Sequence, residues 1–307
     1  MSNMTQDRDK LAHKVIEESE LDEVRAAVEV SLFTLVNEPT GVPENLQNAM
    51  RHALLAPSKR VRPLMVYFSA NPSEPIVNAA LRVGSAVEMV HTASLIFDDL
   101  PCMDDAQMRR HRPTAHIAFG QSTAILGAIA LLTRAFGLIS EIECVSGEIR
   151  AKLNSILSKA VGWNGLVAGQ ELDINGQTEL SDSAAVENLS WLKTGVLFVA
   201  AAEMGAVLRD ATDEQVNAAR LYATHFGLAF QTLDDVLDHT ANTGEIGKDV
   251  KKDSAKTTLV NLFGLSQAKR TYQQHLMLAD KALLESGAMV EPLRQLSSRL
   301  FSKAQLS

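Results

Sequence analysis

Two apolar helical stretches of this sequence each end in a pair of aspartates, and this pattern constrains the fold more than any other feature. The first stretch covers about 77–100 and carries Asp98 and Asp99, and the second carries Asp234 and Asp235. A carboxylate on an otherwise apolar helix is costly to bury without a partner, and like charges one helical turn apart repel each other. The chain must therefore fold so that positive charge, from side chains or from metal ions, reaches both pairs.

Helical periodicity extends over nearly the whole chain, and no stretch alternates as a β-strand would. Aromatic residues make up only 5% of the 307 residues, which favours helices over strands. Pro43 opens a helix, residues 69–75 form a proline-rich loop, and Pro101 stops the first apolar helix. These features predict a single all-α domain over 1–307, a large helical bundle without a sheet. Residues 1–25 are expected to form an N-terminal arm that could be partly mobile.

Further helix boundaries follow from local signals. A helix should begin near Ser122, and residues 162–182 should form a helix interrupted by glycines. The sequence TDEQ (212–215) has the form of a capping box and should open a helix that reaches about Asp238. A polar loop is predicted over 239–256.

Composition excludes several function classes. The net charge of −8 argues against a nucleic-acid-binding protein. Cys102 and Cys144 cannot form a disulfide framework and fit a reducing compartment, and the polar N-terminus lacks the apolar segment of a secretory signal. The apolar runs over 77–97 and 122–139 are interpreted as core helices of a bundle rather than membrane spans. We therefore expect a cytoplasmic protein.

The spacing of the acidic residues points to a magnesium site. Gln231, Asp234, Asp235 and Asp238 follow at positions i, i+3, i+4 and i+7, so they share one helix face. The first cluster comprises Asp98, Asp99, Asp104 and Asp105. Carboxylates without histidine or cysteine suit Mg²⁺, which takes one or two of them together with phosphate oxygens of a substrate. Two such clusters on facing helices predict Mg²⁺ binding that a phosphate-bearing ligand completes.

Basic residues occur between and around the two clusters and support a phosphate ligand. They are Lys59, Arg60, Arg62, Arg109, Arg110, Lys193, Lys248 and Lys256. Arginine pairs suit bidentate phosphate recognition, and lysines act as point charges. Each motif alone has a simpler interpretation, because a lone DDxxD is more often a solvated or salt-bridged face, and His91 on an apolar helix is more often a core histidine. The combination of the motifs favours a diphosphate site.

The ordered motifs resemble those of the all-trans polyprenyl diphosphate synthases from about residue 45 to residue 264. The matching segments are APSKRVRP, EMVHTASLIFDDLPCMDDAQMRRHRPTAH, GLVAGQELD, LKTGVLF, FQTLDDVLD and GKDVKKDSAKTTLVNLFG. Within this family, DDLPCMDDAQMRR and KTTLVNL are most similar to the bacterial geranylgeranyl diphosphate synthases of carotenoid pathways. The resemblance implies the helical isoprenoid-synthase fold, a homodimer, and condensation of isopentenyl diphosphate with dimethylallyl, geranyl or farnesyl diphosphate.

The resemblance also implies roles for individual residues. Metal ligands would be Asp98, Asp99, Asp104 and Asp234, with Asp235, Asp238 and Asp253 in support, holding three Mg²⁺ ions once diphosphate is bound. Positive charge on the allylic diphosphate would come from Arg109, Lys193, Lys248 and Lys256. The diphosphate of isopentenyl diphosphate would bind Lys59, Arg62, His91 and Arg110. Thr194 and Gln231 would flank the reacting carbons. The reaction would proceed by ionisation, condensation and elimination, with the proton passing to the departed diphosphate.

Pro101 has a geometric consequence for the first cluster. In a continuous helix Asp104 would lie about 240° around the axis from Asp98. A helix that ends after Asp99 lets the chain turn back, so we expect Asp104 to approach the metal.

Four positions depart from the family pattern. Ser58 and His111 stand where glycine is usual, so the loop beside Lys59 is expected to differ, and a titratable group is added after the arginine pair. Ala106 and Gln107 replace common acids, which leaves metal binding to the remaining aspartates.

Small residues one turn before Asp98 predict the product length. In relatives that stop at fifteen carbons, an aromatic residue usually occupies the position of Ala93 or Ser94. The small side chains here should let the tunnel continue toward Met89 and Val90, which predicts geranylgeranyl diphosphate, a twenty-carbon product. A fifteen-carbon or a longer product is the alternative.

Two other functions remain open on the sequence. A terpene cyclase shares the fold and the first aspartate motif, although its second metal motif differs from the DDxxD found here. A non-catalytic synthase subunit is the other, although both aspartate motifs are intact. Hydrocarbon formed from geranylgeranyl diphosphate alone would identify the cyclase, and a purified chain without turnover would identify the subunit.

Overall fold

A computed structural model describes residues 2–176, 183–240, 259–286 and 290–301. The α-helices are α1 (Ser2–Asn37), α2 (Glu44–Leu54), α3 (Val61–Ala70), α4 (Ile76–Asp98), α5 (Ala115–Phe119), α6 (Gln121–Ser140), α7 (Gly147–Val161), α8 (Leu166–Asn175), α9 (Ser183–Ser190), α10 (Val196–Leu208), α11 (Asp213–Thr240), α12 (Leu259–Phe263), α13 (Leu265–Ser286) and α14 (Val290–Phe301). A π-helical turn, Trp191–Gly195, joins α9 to α10. The predicted all-α class is confirmed.

A short hairpin departs from the prediction that the chain has no strand. Strands β1 (Met108–Arg109) and β2 (Arg112–Pro113) pair antiparallel, with Arg109 opposite Arg112. The two residues between them, Arg110 and His111, have φ of 52° and 60°. Two consecutive residues with positive φ form a turn whose backbone twist matches that of the flanking strands. The usual sequence signal for such a turn is Asn-Gly. Arg-His carries no such signal, so the sequence did not indicate this turn.

Helix α4 lies at the centre of the bundle and packs against α3, α6 and α10. Its residues Val83, Val87 and Val90 are fully buried, and the main hydrophobic core extends from α1 to α14. The interpretation of 77–97 as a core helix is therefore confirmed. On length and composition alone, two helical stretches could span a membrane, Gln121–Ser140 and Ala184–Leu208. The second is 72% buried in the bundle, whereas the first is only 39% buried.

Several predicted boundaries are confirmed by the hydrogen bonds at helix ends. The Gln215 N–H donates to Thr212 Oγ1 and the Thr212 N–H donates to Gln215 Oε1, both at 3.3 Å, as a capping box requires. The loop predicted over 69–75 separates α3 from α4. Within the predicted segment 162–182, α8 covers the middle, and residues 177–182 lie outside the described residues, as does most of the predicted loop 239–256.

Candidate active site

The C-terminal end of α4 turns back on itself and brings the first aspartates together. The Asp104 N–H donates to the Asp98 carbonyl at 2.9 Å, and the Ala106 N–H donates to the Asp99 carbonyl at 3.2 Å. Asp105 adopts a φ of 46° in this turn, a conformation that aspartate tolerates better than most residues. The chain therefore turns back after Asp99, as the break at Pro101 predicts, and the approach of Asp104 to a metal ion stays a prediction.

The environment of Asp98 resists its negative charge. Burial raises the pKa of Asp98 to about 6, against the attraction of Lys193, and the neighbouring Asp104 and Asp99 raise the pKa further. Burial also raises the pKa of Asp99, against its hydrogen bonds from Arg109. The cluster thus holds carboxylates whose ionised form a divalent cation would stabilise.

Asp99 and Arg109 form a close ion pair. Arg109 Nε lies 2.7 Å from Asp99 Oδ1 and 3.0 Å from Oδ2, and Arg109 Nη2 lies 2.7 Å from Oδ1. Strand β1 carries Arg109. The hairpin, which was not predicted, therefore brings this arginine to the end of α4. Two residues expected in different roles, one on metal and one on diphosphate, therefore neutralise each other in this structure.

The π-helical turn places Lys193 and Thr194 toward different neighbours. The ammonium of Lys193 donates to the buried Asp173 carboxylate of α8. Thr194 Oγ1 donates to Gln231 Oε1 at 2.9 Å, and Gln231 Nε2 donates to Asp235 Oδ1 at 2.9 Å. Such π-turns are rare and often occur at functional sites. This turn connects α8 to the second aspartate motif on α11.

Gly169 explains how α8 approaches this turn so closely. A Cβ at Gly169 would lie 2.6 Å from the backbone nitrogen of Lys193, which no real side chain tolerates. The GQELD segment resembles a family motif, but the sequence alone predicts no role for Asp173. Because the segment matches a family motif, that match could have identified Asp173 as a candidate site residue.

Replacing Asp173 with asparagine is expected to lower kcat about tenfold, which corresponds to ~1.4 kcal/mol in the barrier. The ammonium of Lys193 loses its charged partner and is drawn toward Asp98, which lies within its electrostatic reach. Steady-state kinetics of the purified variant checks this. The matched control is Glu171→Gln, which alters an exposed carboxylate on the same helix. An unchanged kcat in Asp173→Asn would remove Asp173 from the site.

A second group of residues, mostly cationic, lies along α3, α4 and the hairpin. Burial lowers the pKa of Arg62 to about 10, with Glu88 opposing and Arg110 adding repulsion. The pKa of His91 lies well below its ordinary value because of burial and of nearby arginines, among them Arg62 and Arg110. The Arg62 guanidinium stacks 4.3 Å from the centroid of the Phe198 ring, and its buried Nε has no hydrogen-bond partner in the described part of the chain. Concentrated positive charge with a neutral histidine suits a diphosphate.

Arg60 does not belong to this cationic group, although its sequence motif predicts that it supports phosphate binding. Its side chain is fully buried and bonds Glu29, Glu88 and two backbone carbonyls. That expectation is wrong for Arg60, because these carboxylates come from distant parts of the chain and draw the side chain inward. The neighbouring Lys59 remains exposed, with its Nζ 5.9 Å from the centroid of the Phe230 ring.

The remaining predicted positions are distributed as follows. Ala93 is buried in α4, and part-buried Ser94 donates its hydroxyl to the His91 carbonyl at 2.9 Å. Lys248, Asp253 and Lys256 lie outside the described residues, as does the side chain of Asp238. Within the described ranges, no three acidic, histidine or cysteine side chains converge well enough to hold a metal ion unaided. Carboxylate oxygens from separate clusters fit Mg²⁺, which is commonly completed by phosphate oxygens and water.

Comparison with known proteins identifies the family. The family model described as polyprenyl synthetase matches residues 43–290. The chain belongs to the polyprenyl synthetase family. It is 39% identical over 266 residues to a geranylgeranyl diphosphate synthase of Pseudescherichia vulneris, covering 86% of this chain and 85% of that protein. A geranylgeranyl diphosphate synthase of Pantoea ananas is 40% identical over 237 residues, 76% of this chain and 78% of that protein.

Membership in the polyprenyl synthetase family also fits the solved structures. A geranyltransferase of Helicobacter pylori, complexed with magnesium and isoprenyl diphosphate, superposes with a TM-score of 0.85 at 30% identity, covering 93% of this chain and 98% of that one. The predicted family, the helical isoprenoid-synthase fold and the enzyme class, a trans-prenyltransferase, are confirmed. The ends of α4 and α11, with the π-turn between them, are the candidate active site of this polyprenyl synthetase.

Proposed function

We propose that this enzyme condenses isopentenyl diphosphate with allylic diphosphates and releases geranylgeranyl diphosphate. The observation that carries the proposal is the meeting of two charged groups at the end of α4. Carboxylates gather around Asp98, and a cationic group around Arg62 and Arg110 lies beside them. Opposite charges of this kind suit two diphosphates, one bound through metal and one bound directly. The small residues Ala93 and Ser94 support a twenty-carbon product.

In this proposal Asp98, Asp99, Asp104 and Asp234 hold Mg²⁺, with three ions present when diphosphate is bound, and Asp235, Asp238 and Asp253 support them. Bound there, Mg²⁺ supplies Lewis-acid stabilisation of the leaving diphosphate. Lys193, Arg109, Lys248 and Lys256 add fixed positive charge where negative charge develops. Thr194 and Gln231, hydrogen-bonded to each other, flank the reacting carbons.

The second substrate is held by the cationic group. Lys59, Arg62, His91 and Arg110 bind the diphosphate of isopentenyl diphosphate, and neutral His91 donates a hydrogen bond without adding charge. The bond between the allylic carbon and its diphosphate breaks first, and the double bond of isopentenyl diphosphate then attacks the resulting allylic cation. Buried apolar walls of α4 exclude water, which would otherwise quench the cation. The condensed product is itself a carbocation; an oxygen of the released diphosphate accepts a proton from the carbon beside the positive charge, and the electrons of that C–H bond form the new double bond.

One assay tests the proposal. Purified full-length protein receives labelled isopentenyl diphosphate and each of dimethylallyl, geranyl and farnesyl diphosphate, with and without Mg²⁺. We expect a metal-dependent twenty-carbon product, identified by chromatography after dephosphorylation. A different chain length would contradict the product assignment, and hydrocarbon from geranylgeranyl diphosphate alone would indicate a cyclase. No turnover with any starter would indicate a non-catalytic subunit.

The proposal includes a homodimer formed through α6. Ile125, Leu126 and Ile129 project from one face of this helix and are exposed, Leu126 to 56%. A contiguous apolar face of this kind marks an interaction surface, and a second copy of the chain is the proposed occupant.

The proposal further treats 1–307 as one domain and places it in the cytoplasm, where the free, exposed Cys102 and Cys144 would stay reduced.

Replacing Leu126 with glutamate is expected to weaken the dimer about 30-fold, the effect of a buried interface residue that contributes ~2 kcal/mol. The physical reason is that a carboxylate enters the apolar contact between the copies. Light scattering across a concentration series measures the change. Leu284→Glu is the control, because Leu284 is 60% exposed on α13 and should leave the mass unchanged. A wild-type protein that is monomeric at all concentrations would contradict the proposal.

A further inference from the structure

The loop between α2 and α3 is held by a buried ionic network. The Arg60 guanidinium is fully buried, and its Nη1 donates to Glu88 Oε1 at 2.8 Å. Its Nε and Nη2 donate to Glu29 on α1 at 2.7 and 3.1 Å. Nη2 also donates to the carbonyls of Leu54 and Ala56, at 2.9 and 3.2 Å. A buried arginine needs such complete bonding, because its desolvation is otherwise uncompensated.

The network fixes an unusual backbone conformation. Arg60 has a φ of 50°, in the left-handed region that non-glycine residues rarely adopt, and it immediately precedes α3. Its side chain points into the bundle, while Lys59 is exposed and its ammonium lies near the Phe230 ring. Arg62 stacks on Phe198. Because the Arg60 side chain is held in the interior, it determines the directions in which the side chains of Lys59 and Arg62 project.

Ser58 completes the network in a way that glycine could not. Its hydroxyl accepts a hydrogen bond from the Arg60 N–H at 3.2 Å and donates to Glu88 Oε1 at 3.3 Å. The same carboxylate oxygen therefore receives both Ser58 and the Arg60 guanidinium. Ser58 is one of two positions where glycine is usual in the family, and the serine adds these two hydrogen bonds.

Glu88 also acts on the cations that face the site. It is 2% exposed and lies one turn before His91 on α4. Its negative charge opposes the effect of burial on both Arg62 and Arg110. The buried Glu88 carboxylate therefore accepts a hydrogen bond from Arg60 and, at longer range, stabilises the positive charges of Arg62 and Arg110.

We infer that Ser58, Arg60, Glu88 and Glu29 form a positioning network that presets Lys59 and Arg62 for the diphosphate of isopentenyl diphosphate. Arg60 acts through its neighbours and does not touch the substrate. Ser58 contributes a hydroxyl that glycine, the usual residue at this position in the family, would lack. The inference rests on the proposed function, because it takes Lys59 and Arg62 as ligands of that diphosphate.

The test uses variants that weaken the network but keep its central arginine. Ser58→Ala removes both hydrogen bonds of the hydroxyl, Ser58→Thr keeps a hydroxyl, and Glu29→Gln removes charge at a carboxylate that is 40% exposed. Arg60 is left intact, because its removal would strand buried Glu88 and could prevent folding. The control is Glu141→Gln, which alters an exposed carboxylate paired to Arg82 and Arg134 away from the network.

Two measurements separate positioning from general stability. Steady-state kinetics gives KM for isopentenyl diphosphate, KM for farnesyl diphosphate and kcat. Calorimetry gives the Kd of isopentenyl diphosphate without Mg²⁺. We expect Ser58→Ala and Glu29→Gln to raise KM and Kd for isopentenyl diphosphate about threefold to tenfold, the effect of losing one or two weak hydrogen bonds. KM for farnesyl diphosphate and kcat should stay within about twofold, and Ser58→Thr and Glu141→Gln should match the wild type.

Equal rises in both KM values, or no rise in either, would overturn the inference. The proposed function has its own readout in the same experiment, namely whether the wild-type enzyme elongates any starter. If it elongates and the variants behave like the wild type, the positioning role fails alone. If it binds isopentenyl diphosphate with the expected variant pattern but makes no product, the proposed function fails alone.

Discussion

Replacing Asp98 with asparagine is expected to lower turnover about 10³-fold while raising the melting temperature of the metal-free enzyme. Turnover falls because a fixed charge that organises transition-state stabilisation is lost, an effect of about 10²–10³ per group in other enzymes. Stability rises because the pKa of Asp98 is raised to about 6, mainly by burial, so its ionised form is disfavoured in the folded state. Asparagine removes that penalty at neutral pH.

The pH dependence has a defined sign. A carboxylate whose folded pKa is raised contributes stability below its unfolded pKa of 3.8, and this contribution is lost as pH rises through about 6. The advantage of Asp98→Asn should therefore be absent below about pH 3, grow through the intermediate range and be nearly complete above about pH 7. Its upper bound is ~3 kcal/mol, from the shift between these two pKa values.

Thermal unfolding in chelator at several pH values, together with kinetics at saturating Mg²⁺, checks both parts. Asp105→Asn is the matched control, because Asp105 is an exposed aspartate of the same turn and asparagine tolerates its left-handed backbone. Control turnover and stability should stay near the wild type. If the turnover of Asp98→Asn stays within tenfold of the wild type, Asp98 does not have the proposed role as a metal ligand.

Replacing Ala93 with tyrosine is expected to change the main product from twenty to fifteen carbons, with a shift in the product ratio of about tenfold or more. Ala93 is buried in α4, just over one helical turn before Asp98, where the tail of the growing chain is expected to run. A tyrosine ring there fills the space that the added five-carbon unit needs. Chromatography of the dephosphorylated products measures the ratio.

The control for this product switch is Ala93→Ser, which adds little volume and should keep the twenty-carbon product. Because overpacking a core costs stability, the melting temperature of Ala93→Tyr should be measured beside its product profile. A folded Ala93→Tyr enzyme with an unchanged profile would show that the tunnel follows another path.

The helical fold and the acidic half of the site could be predicted, because they depend on short-range patterns. The apolar run before Asp98, the break at Pro101 and the capping box at Thr212 are read directly from neighbouring residues. The backbone hydrogen bonds of the turn after Asp99 and the side-chain to backbone bonds of the capping box confirm these boundaries. Local sequence also predicted that Gln231 and Asp235 share a helix face, and their side chains are hydrogen-bonded.

The parts that could not be predicted depend on residues distant in sequence. Arg60 points inward because Glu29 and Glu88 lie 31 and 28 positions away and meet it in the fold. Spacing alone could not distinguish Arg60 from the nearby basic residues Lys59 and Arg62. The hairpin that delivers Arg109 to Asp99 likewise rests on two left-handed residues without glycine or asparagine, so only tertiary contacts select it.

The ion pair between Asp99 and Arg109 implies cooperativity between the two kinds of ligand. On the proposed roles, a divalent ion that takes over Asp99 frees Arg109 for the allylic diphosphate, and the diphosphate in turn frees Asp99 for the ion. Thermodynamic linkage makes this assistance mutual and equal in both directions. Each ligand alone should therefore bind weakly. A saturating concentration of one ligand should lower the Kd of the other.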